Sequence, residues 1–378
     1  MQTAPGLTRY ASLTRLQALL VLVCAALFMA WCLAVAPRDT LIPKSYNNKD
    51  EGDMAVYQAV VKRIQSGAGY YDALGTELRA ANRPAASIFN WRTPLYLPAI
   101  AWLPSLAWGR AVMAMAALAA LGLGFIVMGR SEMPFAAIFE VLLMLGPLMV
   151  CFAPPGVFFA EVWSGVFIAV SAAACGLGWR RVGVPAGLLA LFIRELALPY
   201  VLVSAFLAWR GKRRSEVWAW TAGLGAYAIY FTVHALIVRS HITPADFANP
   251  AAQIQIGGMS FHLTGWIQFG GLDFLLRASS VGWLMLLPPW ATALYLPAAL
   301  LGLGGWTHPT ARYASLTVAC YMVAFAVMGY TMNLYWGAVY APLLTFGAAC
   351  TVPALRDLAR AVMTNRHPSG GTEPAPLT

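Results

Sequence analysis

Eight apolar stretches, near residues 16–36, 110–129, 134–152, 162–179, 216–238, 281–304, 312–330 and 337–355, each approach the length of about 20 residues that a helix needs to cross a bilayer. No single soluble core could bury so many such runs. Only 11% of the 378 residues are charged and 60% are hydrophobic, whereas soluble domains carry about 25% charged residues. The mean hydropathy is +0.65. The expected fold is an all-α polytopic membrane protein. The net charge of +10 then acts as a topology signal and an anchor to membrane lipids, and nucleic acid is excluded as a partner. Cys24, Cys32, Cys151, Cys175, Cys320 and Cys350 fall in or beside the apolar runs, with no metal-ligand spacing and no extramembrane disulfide pair. Arg9 and Arg15 precede the first run without a clear cleavage site, so it reads as a retained helix.

A further apolar stretch, VGVPAGLLALFIRELALPYVLVSAFLAW, lies between Arg181 and Arg210. It is long for one crossing and short for two, and both ends are basic. A hairpin of half-length helices meeting near FIRELALP satisfies the length and the charge together, with Pro199 just beyond the turn. Counting it as two gives about ten transmembrane helices, a single membrane domain over 1–355, and both termini in the cytoplasm. Segment 94–108 is short and broken by Pro94, Pro98 and Pro104, so it reads as re-entrant or interfacial. Residues 37–109 form a long first outer loop and 239–280 a second. The tail 356–378 reads as cytoplasmic and disordered at its end.

The first outer loop contains EGDMAVYQAVVKRIQSGAGYYDAL. Met54, Tyr57, Val60, Val61 and Ile64 recur at helical spacing, and Gly67 with Gly69 ends the pattern. Such a helix is expected to lie on the membrane surface, apolar face down. Asp53 opens it, where the helix dipole favours the ionised carboxylate. It can serve as a base at the rim of the bilayer, or simply cap the helix. Asp50 and Glu51 compete for the role but precede the helix.

Asp53, Tyr57, Gly69 and Tyr71–Asp72 together resemble the first outer loop of GT-C glycosyltransferases, in particular the bacterial polyprenyl-phosphate-mannose-dependent mannosyltransferases and their relatives. FNWRTPLYLP at 89–98, GRAVMAMAALAALGLGFIVMGR, the VPAGLLALFIRELALP hairpin and NLYWGAVYAP also fit that layout. The resemblance implies an inverting transfer of a sugar from a polyprenyl-phosphate donor to a glycan or glycolipid acceptor. The site would face the periplasm or cell exterior from the bacterial cytoplasmic membrane.

Such a transfer needs a base for the acceptor hydroxyl and a cation for the departing phosphate. Asp53 is the candidate base. Arg194, at the hairpin apex behind Leu191, Phe192 and Ile193, is the candidate cation, since a charge in apolar surroundings is costly and its forked donors suit phosphate. It can equally form a structural ion pair with Glu195. Arg92 is a second phosphate candidate or an interfacial anchor. Tyr57, Glu161, Glu195, His262, Asn333, Tyr335 and Trp336 are candidates for sugar or acceptor contact. Glu161 can instead stabilise a helix start, and Asn333, Tyr335, Trp336 and Tyr340 an ordinary aromatic belt. Glu140 reads as a helix-packing residue and His241 as incidental. No metal or other cofactor is required on this reading. Some GT-C enzymes do use a divalent ion, for which Asp72 or Glu161 would be the second acid. The main alternative is a transporter or flippase for a lipid-linked or anionic substrate, with Arg194 and Glu195 lining its path. A polymer ligase or acyltransferase is a third class.

Overall fold

The computed structural model describes residues 7–36, 52–131, 135–248, 253–256, 259–262, 267–329 and 331–364. Among these the chain forms fifteen α-helices, several short 3-10 turns and one two-stranded antiparallel hairpin. It is an α-helical, membrane-embedded protein. α1 (Arg15–Val35), α5 (Leu106–Gly129), α10 (Arg214–His241) and α14 (Pro309–Val327) are long and apolar enough to cross a membrane. A fifth span is reached if Asn333–Val339 and α15 (Ala341–Met363), bent by 64° at their junction, count as one. Only 11% of the apolar window of α1 and 17% of that of α10 is buried by protein. Leu16, Leu27, Trp31, Trp218, Ile229 and Leu236 stand exposed there, and lipid is the solvent that accepts such faces.

Shorter helices complete the bundle: α6 (Ala136–Leu148), α7 (Ala160–Gly176), α8 (Arg180–Ile193), α9 (Leu198–Arg210) and α13 (Pro289–Gly305). α13 and α15 pack so closely that a Cβ on Gly302 would meet the Gly347 carbonyl oxygen at 1.8 Å. Such small-residue contacts are a common means by which helices associate in lipid.

The hairpin expected between Arg181 and Arg210 is present. α8 ends at Ile193, Glu195–Ala197 makes a 3-10 turn, and α9 returns. Arg180 and Arg210 consequently line one cavity at the same end of the molecule. Thr8 joins that end, its backbone N–H and its hydroxyl both donating to Asp357 Oδ2 at 2.7 and 2.9 Å. α15 therefore runs past the boundary expected at residue 355, because buried Asp357 anchors its last turns. The end of the tail, where disorder was expected, lies outside the described residues.

α2 (Asp53–Gln65), α3 (Tyr70–Ala80) and α4 (Tyr96–Trp102) gather at the opposite end. α2 forms where its periodicity places it, yet its apolar face does not rest on lipid. Val56, Tyr57, Val60 and Val61 are buried against α3, α4 and the 3-10 turn Pro154–Phe158. Periodicity requires an apolar cover without specifying lipid or protein, and here protein supplies it. α4, seven residues long, extends about 10 Å and is too short to cross. The segment 239–280, expected as a second outer loop, holds α11 (Pro244–Ala248), strands β1 (Gln253–Ile256) and β2 (Met259–His262), and α12 (Gly271–Ser279). The β-hairpin is a local departure from the all-α expectation.

Candidate functional site

Three segments far apart in sequence meet at the end opposite the basic cavity. α7 begins with Ala160, so Glu161 stands in its first turn. Arg194 caps α8 in an extended conformation, which ends the helix and turns the side chain of the apex residue back toward α7. Arg92 lies in the connection before α4. Arg194 Nε is 2.8 Å from Glu161 Oε1, and Arg92 Nη2 is 3.5 Å from the same oxygen. All three residues are buried. Arg194 also pairs with Glu195 through Nη1. The guanidinium of Arg92 stacks over the Tyr57 ring, 5.7 Å from its centroid. Its Nε has no hydrogen-bond partner among the described residues.

The backbone around Arg92 is clamped. Tyr70 donates its hydroxyl to the Arg92 carbonyl. Thr93 donates to the carbonyls of Phe192 and Ile193 at 3.0 and 3.1 Å, tying the loop to the hairpin apex. His234 Nε2 lies 3.1 Å from the Trp91 carbonyl, and His234 Nδ1 lies 3.1 Å from the Tyr71 hydroxyl. A carbonyl only accepts, so Nε2 carries the proton and Nδ1 accepts from Tyr71. Burial pushes the Tyr71 phenol up to about 12, which keeps that donor protonated.

Asp53 is the first residue of α2, after the N-cap Gly52. Its Oδ1 pairs with Arg83 Nη2 at 3.2 Å, and the two side chains are 35% and 36% exposed. Burial raises the Tyr57 phenol well above its usual range, against the pull of Arg92, while the charge of Asp53 adds to the rise. The charges of Arg92, Asp53, Glu161 and Arg194 all reach the buried ring of Tyr335. Asp53 and Arg194 therefore share one electrostatic neighbourhood and are not separated across the thickness of the molecule.

Other candidates are placed differently. Asn333 Nδ2 donates to the Tyr335 hydroxyl at 3.3 Å. Trp336 is buried, with ring centroids 5.6 Å from Phe325 and 6.5 Å from Phe274, so it faces the apolar core and not the ion pairs. Tyr340 bonds Ser279 Oγ at 2.9 Å and stacks on Tyr321. For His262 only the backbone on β2 is described, paired with Gln253. Asp50 and Glu51 lie outside the described residues. Glu140 is buried and accepts from Thr345 Oγ1 at 2.8 Å, in keeping with a helix-packing residue. Asp72 is 76% exposed and stands 3.5 Å from His241, while Glu161 is enclosed by guanidinium groups, so these two acids do not converge. Among the described residues no three His, Cys, Asp or Glu side chains form a cluster able to hold a metal ion.

Thr93 and His234 escaped the sequence reading, and Tyr71 entered it only as part of the first-loop pattern, with no partner assigned. For His234 a signal existed: it lies two helical turns before His241, so both point to the same side of α10. Arg83 was equally unmarked. Comparison with known proteins adds nothing to this picture: no family model, no curated protein and no solved structure matches the chain.

Proposed function

We propose that this protein is a membrane glycosyltransferase that moves a sugar from a polyprenyl-phosphate donor to an acceptor outside the cytoplasm. The carrying observation is the convergence of Arg92 and Arg194 on Glu161 beside the helix that Asp53 opens. Two guanidinium groups share one carboxylate oxygen, and one of them keeps a buried Nε donor without a partner. A phosphate oxygen entering there would complete the hydrogen bonding that Glu161 leaves unfilled.

In the proposed reaction Asp53, released from Arg83, takes the proton of the acceptor hydroxyl. The hydroxyl oxygen forms a bond to the anomeric carbon from the face opposite the phosphate. The bond from that carbon to the phosphate oxygen breaks, and the electron pair leaves with polyprenyl phosphate. Arg194 and Arg92 stabilise the charge that develops on it, and the configuration inverts. Tyr57, Tyr335, Asn333 and Glu195 border the place where the sugar would sit. Trp336 would act on that place only through packing, and His262 belongs to the loop that would meet the acceptor.

The ten helices α1, α5 to α10 and α13 to α15 fit about ten crossings if the shorter ones span a locally thinned or tilted layer. The basic end then faces the cytoplasm of a bacterial inner membrane by the positive-inside rule, and the Asp53 end faces outward.

The test uses purified protein in vesicles with radiolabelled sugars on synthetic polyprenyl phosphate and an extracted glycolipid acceptor. The expected result is labelled acceptor with inverted linkage and stoichiometric free polyprenyl phosphate. Movement of the intact donor between leaflets, with no sugar released, would favour a flippase.

A further inference from the structure

A second site lies at the basic end, about 20 Å away along α7 and α8 at 1.5 Å per residue. A cavity of about 880 Å³ opens there between the last turns of α7 and α9 and the first turns of α8 and α14. Arg9, Arg180, Arg210, Arg213 and Arg312 line it. Glu216 neutralises part of this charge: it pairs with Arg180 Nε at 2.9 Å and with Arg213. Arg9 donates to the Trp306 carbonyl at 2.6 Å, which fixes its head without cancelling its charge. Arg210 on α9 and Arg312 on α14 have neither an ion pair nor a side-chain hydrogen bond among the described residues. The first turn of α14 adds the positive end of a nineteen-residue helix dipole. The remaining wall is mainly apolar, with Phe206, Leu207 and Leu316, beside Tyr313 and Ser315.

A wall of that composition, with excess guanidinium groups over an apolar shelf at the end of a membrane bundle, matches a molecule that is anionic at one end and hydrocarbon at the other. A soluble anion would have no use for the apolar wall, and a neutral lipid none for the arginines. We propose that this cavity binds the phosphate headgroup of an anionic phospholipid, with Arg210 and Arg312 on its oxygens and the acyl chains along Phe206, Leu207 and Leu316. Its volume falls within the range of ligand pockets, and basic pockets between transmembrane helices hold acidic headgroups in this way. The site is independent of the sugar-transfer reading and uses none of its residues.

The experiment is native mass spectrometry of the full-length protein released from nanodiscs of equimolar phosphatidylglycerol, cardiolipin and phosphatidylcholine. Cardiolipin or phosphatidylglycerol should be retained selectively. In R210Q/R312Q the affinity should fall about thirtyfold, from roughly a tenfold factor for each 1.4 kcal/mol and about 1 kcal/mol per lost arginine. A matched control, R181Q/R214Q, removes the same charge from exposed arginines at that end that do not line the cavity, and should keep the lipid. Equal retention of all three lipids by the wild type overturns the proposal, whatever the variants do. So does equal loss in the control, or displacement of the lipid by inorganic phosphate at the lipid's own concentration, which would mark a free-anion site.

Discussion

Glu161 and Arg194 form a buried ion pair, Oε1 to Nε 2.8 Å, that fastens the start of α7 to the apex of the α8–α9 hairpin. Because Arg92 leans on the same carboxylate, Glu161 is, among the described residues, the one counter-charge that touches both guanidinium groups. Its removal leaves two buried cations short of a partner. E161A is expected to lose about 3–5 kcal/mol, the cost of breaking a buried ion pair from one side. Replacing the pair together, as E161L/R194M, should recover part of that loss, since Arg92 and Glu195 still lose a partner. Thermal unfolding in a fixed detergent measures both, and an additive double variant would contradict the coupling.

Asp53 should behave in the opposite way. Its pair with Arg83 is a third exposed on both sides, and such pairs contribute about 0–1 kcal/mol. D53N is therefore expected to leave the unfolding midpoint within a degree or two. If Asp53 is the base, transfer from a polyprenyl-phosphate donor should fall by about 10²- to 10⁴-fold. Unchanged turnover in D53N would remove it from the mechanism.

Gly165 lies where α7 crosses the segment Thr331–Val339. A Cβ there would stand 2.0 Å from the Ala338 carbonyl oxygen, and a backbone atom cannot swing aside. G165A should cost about 1–3 kcal/mol through overpacking and shift the segment that carries Asn333 and Tyr335. Any transfer activity should drop more than it does in G225A, where an added Cβ meets no atom within 4 Å.

Acid should weaken the contact between α3 and α11. Hydrogen bonds from Arg79 hold Asp246 at a pKa of about 2, down from 3.8; Arg79 meets both carboxylate oxygens at 2.8 Å. A depressed carboxylate contributes stability that is complete above its unfolded pKa and disappears as the pH falls through the folded one. The stability gap between wild type and D246N should be constant above about pH 5, narrow below pH 4 and close near pH 2. Thermal midpoints collected across that range provide the check, and a gap that widened on acidification would reverse the assignment.

The clamp on Trp91 makes a fifth prediction. H234F leaves the Trp91 carbonyl without its donor and is expected to cost about 1–3 kcal/mol. Y71F removes the proton that Nδ1 accepts and should cost less. The double variant should cost less than the sum, because both act on one hydrogen-bonded chain.

The start of α2 at Asp53 was readable from the sequence, and its end to within a few residues, since the Gly67–Gly69 break follows closely on Gln65. The reversal at Arg194 was readable too, because length and flanking charge leave a hairpin as the economical solution. The cover over the apolar face of α2 was not, since protein and lipid are equally apolar and satisfy the same pattern. Nor was the partner of Asp53: Arg83 sits beyond the end of α3, and only the packing of α3 against α2 carries it back.

Sequence alone determined that this chain is helical and embedded in a membrane, because hydrophobic length and periodicity are properties of consecutive residues. Tertiary structure alone decided that Arg92, Glu161 and Arg194 share a single carboxylate oxygen, that His234 holds the loop bearing Arg92, and that five arginines from several helices ring one basic cavity. These groupings join residues far apart along the chain, and a charge chooses its partner by distance in space.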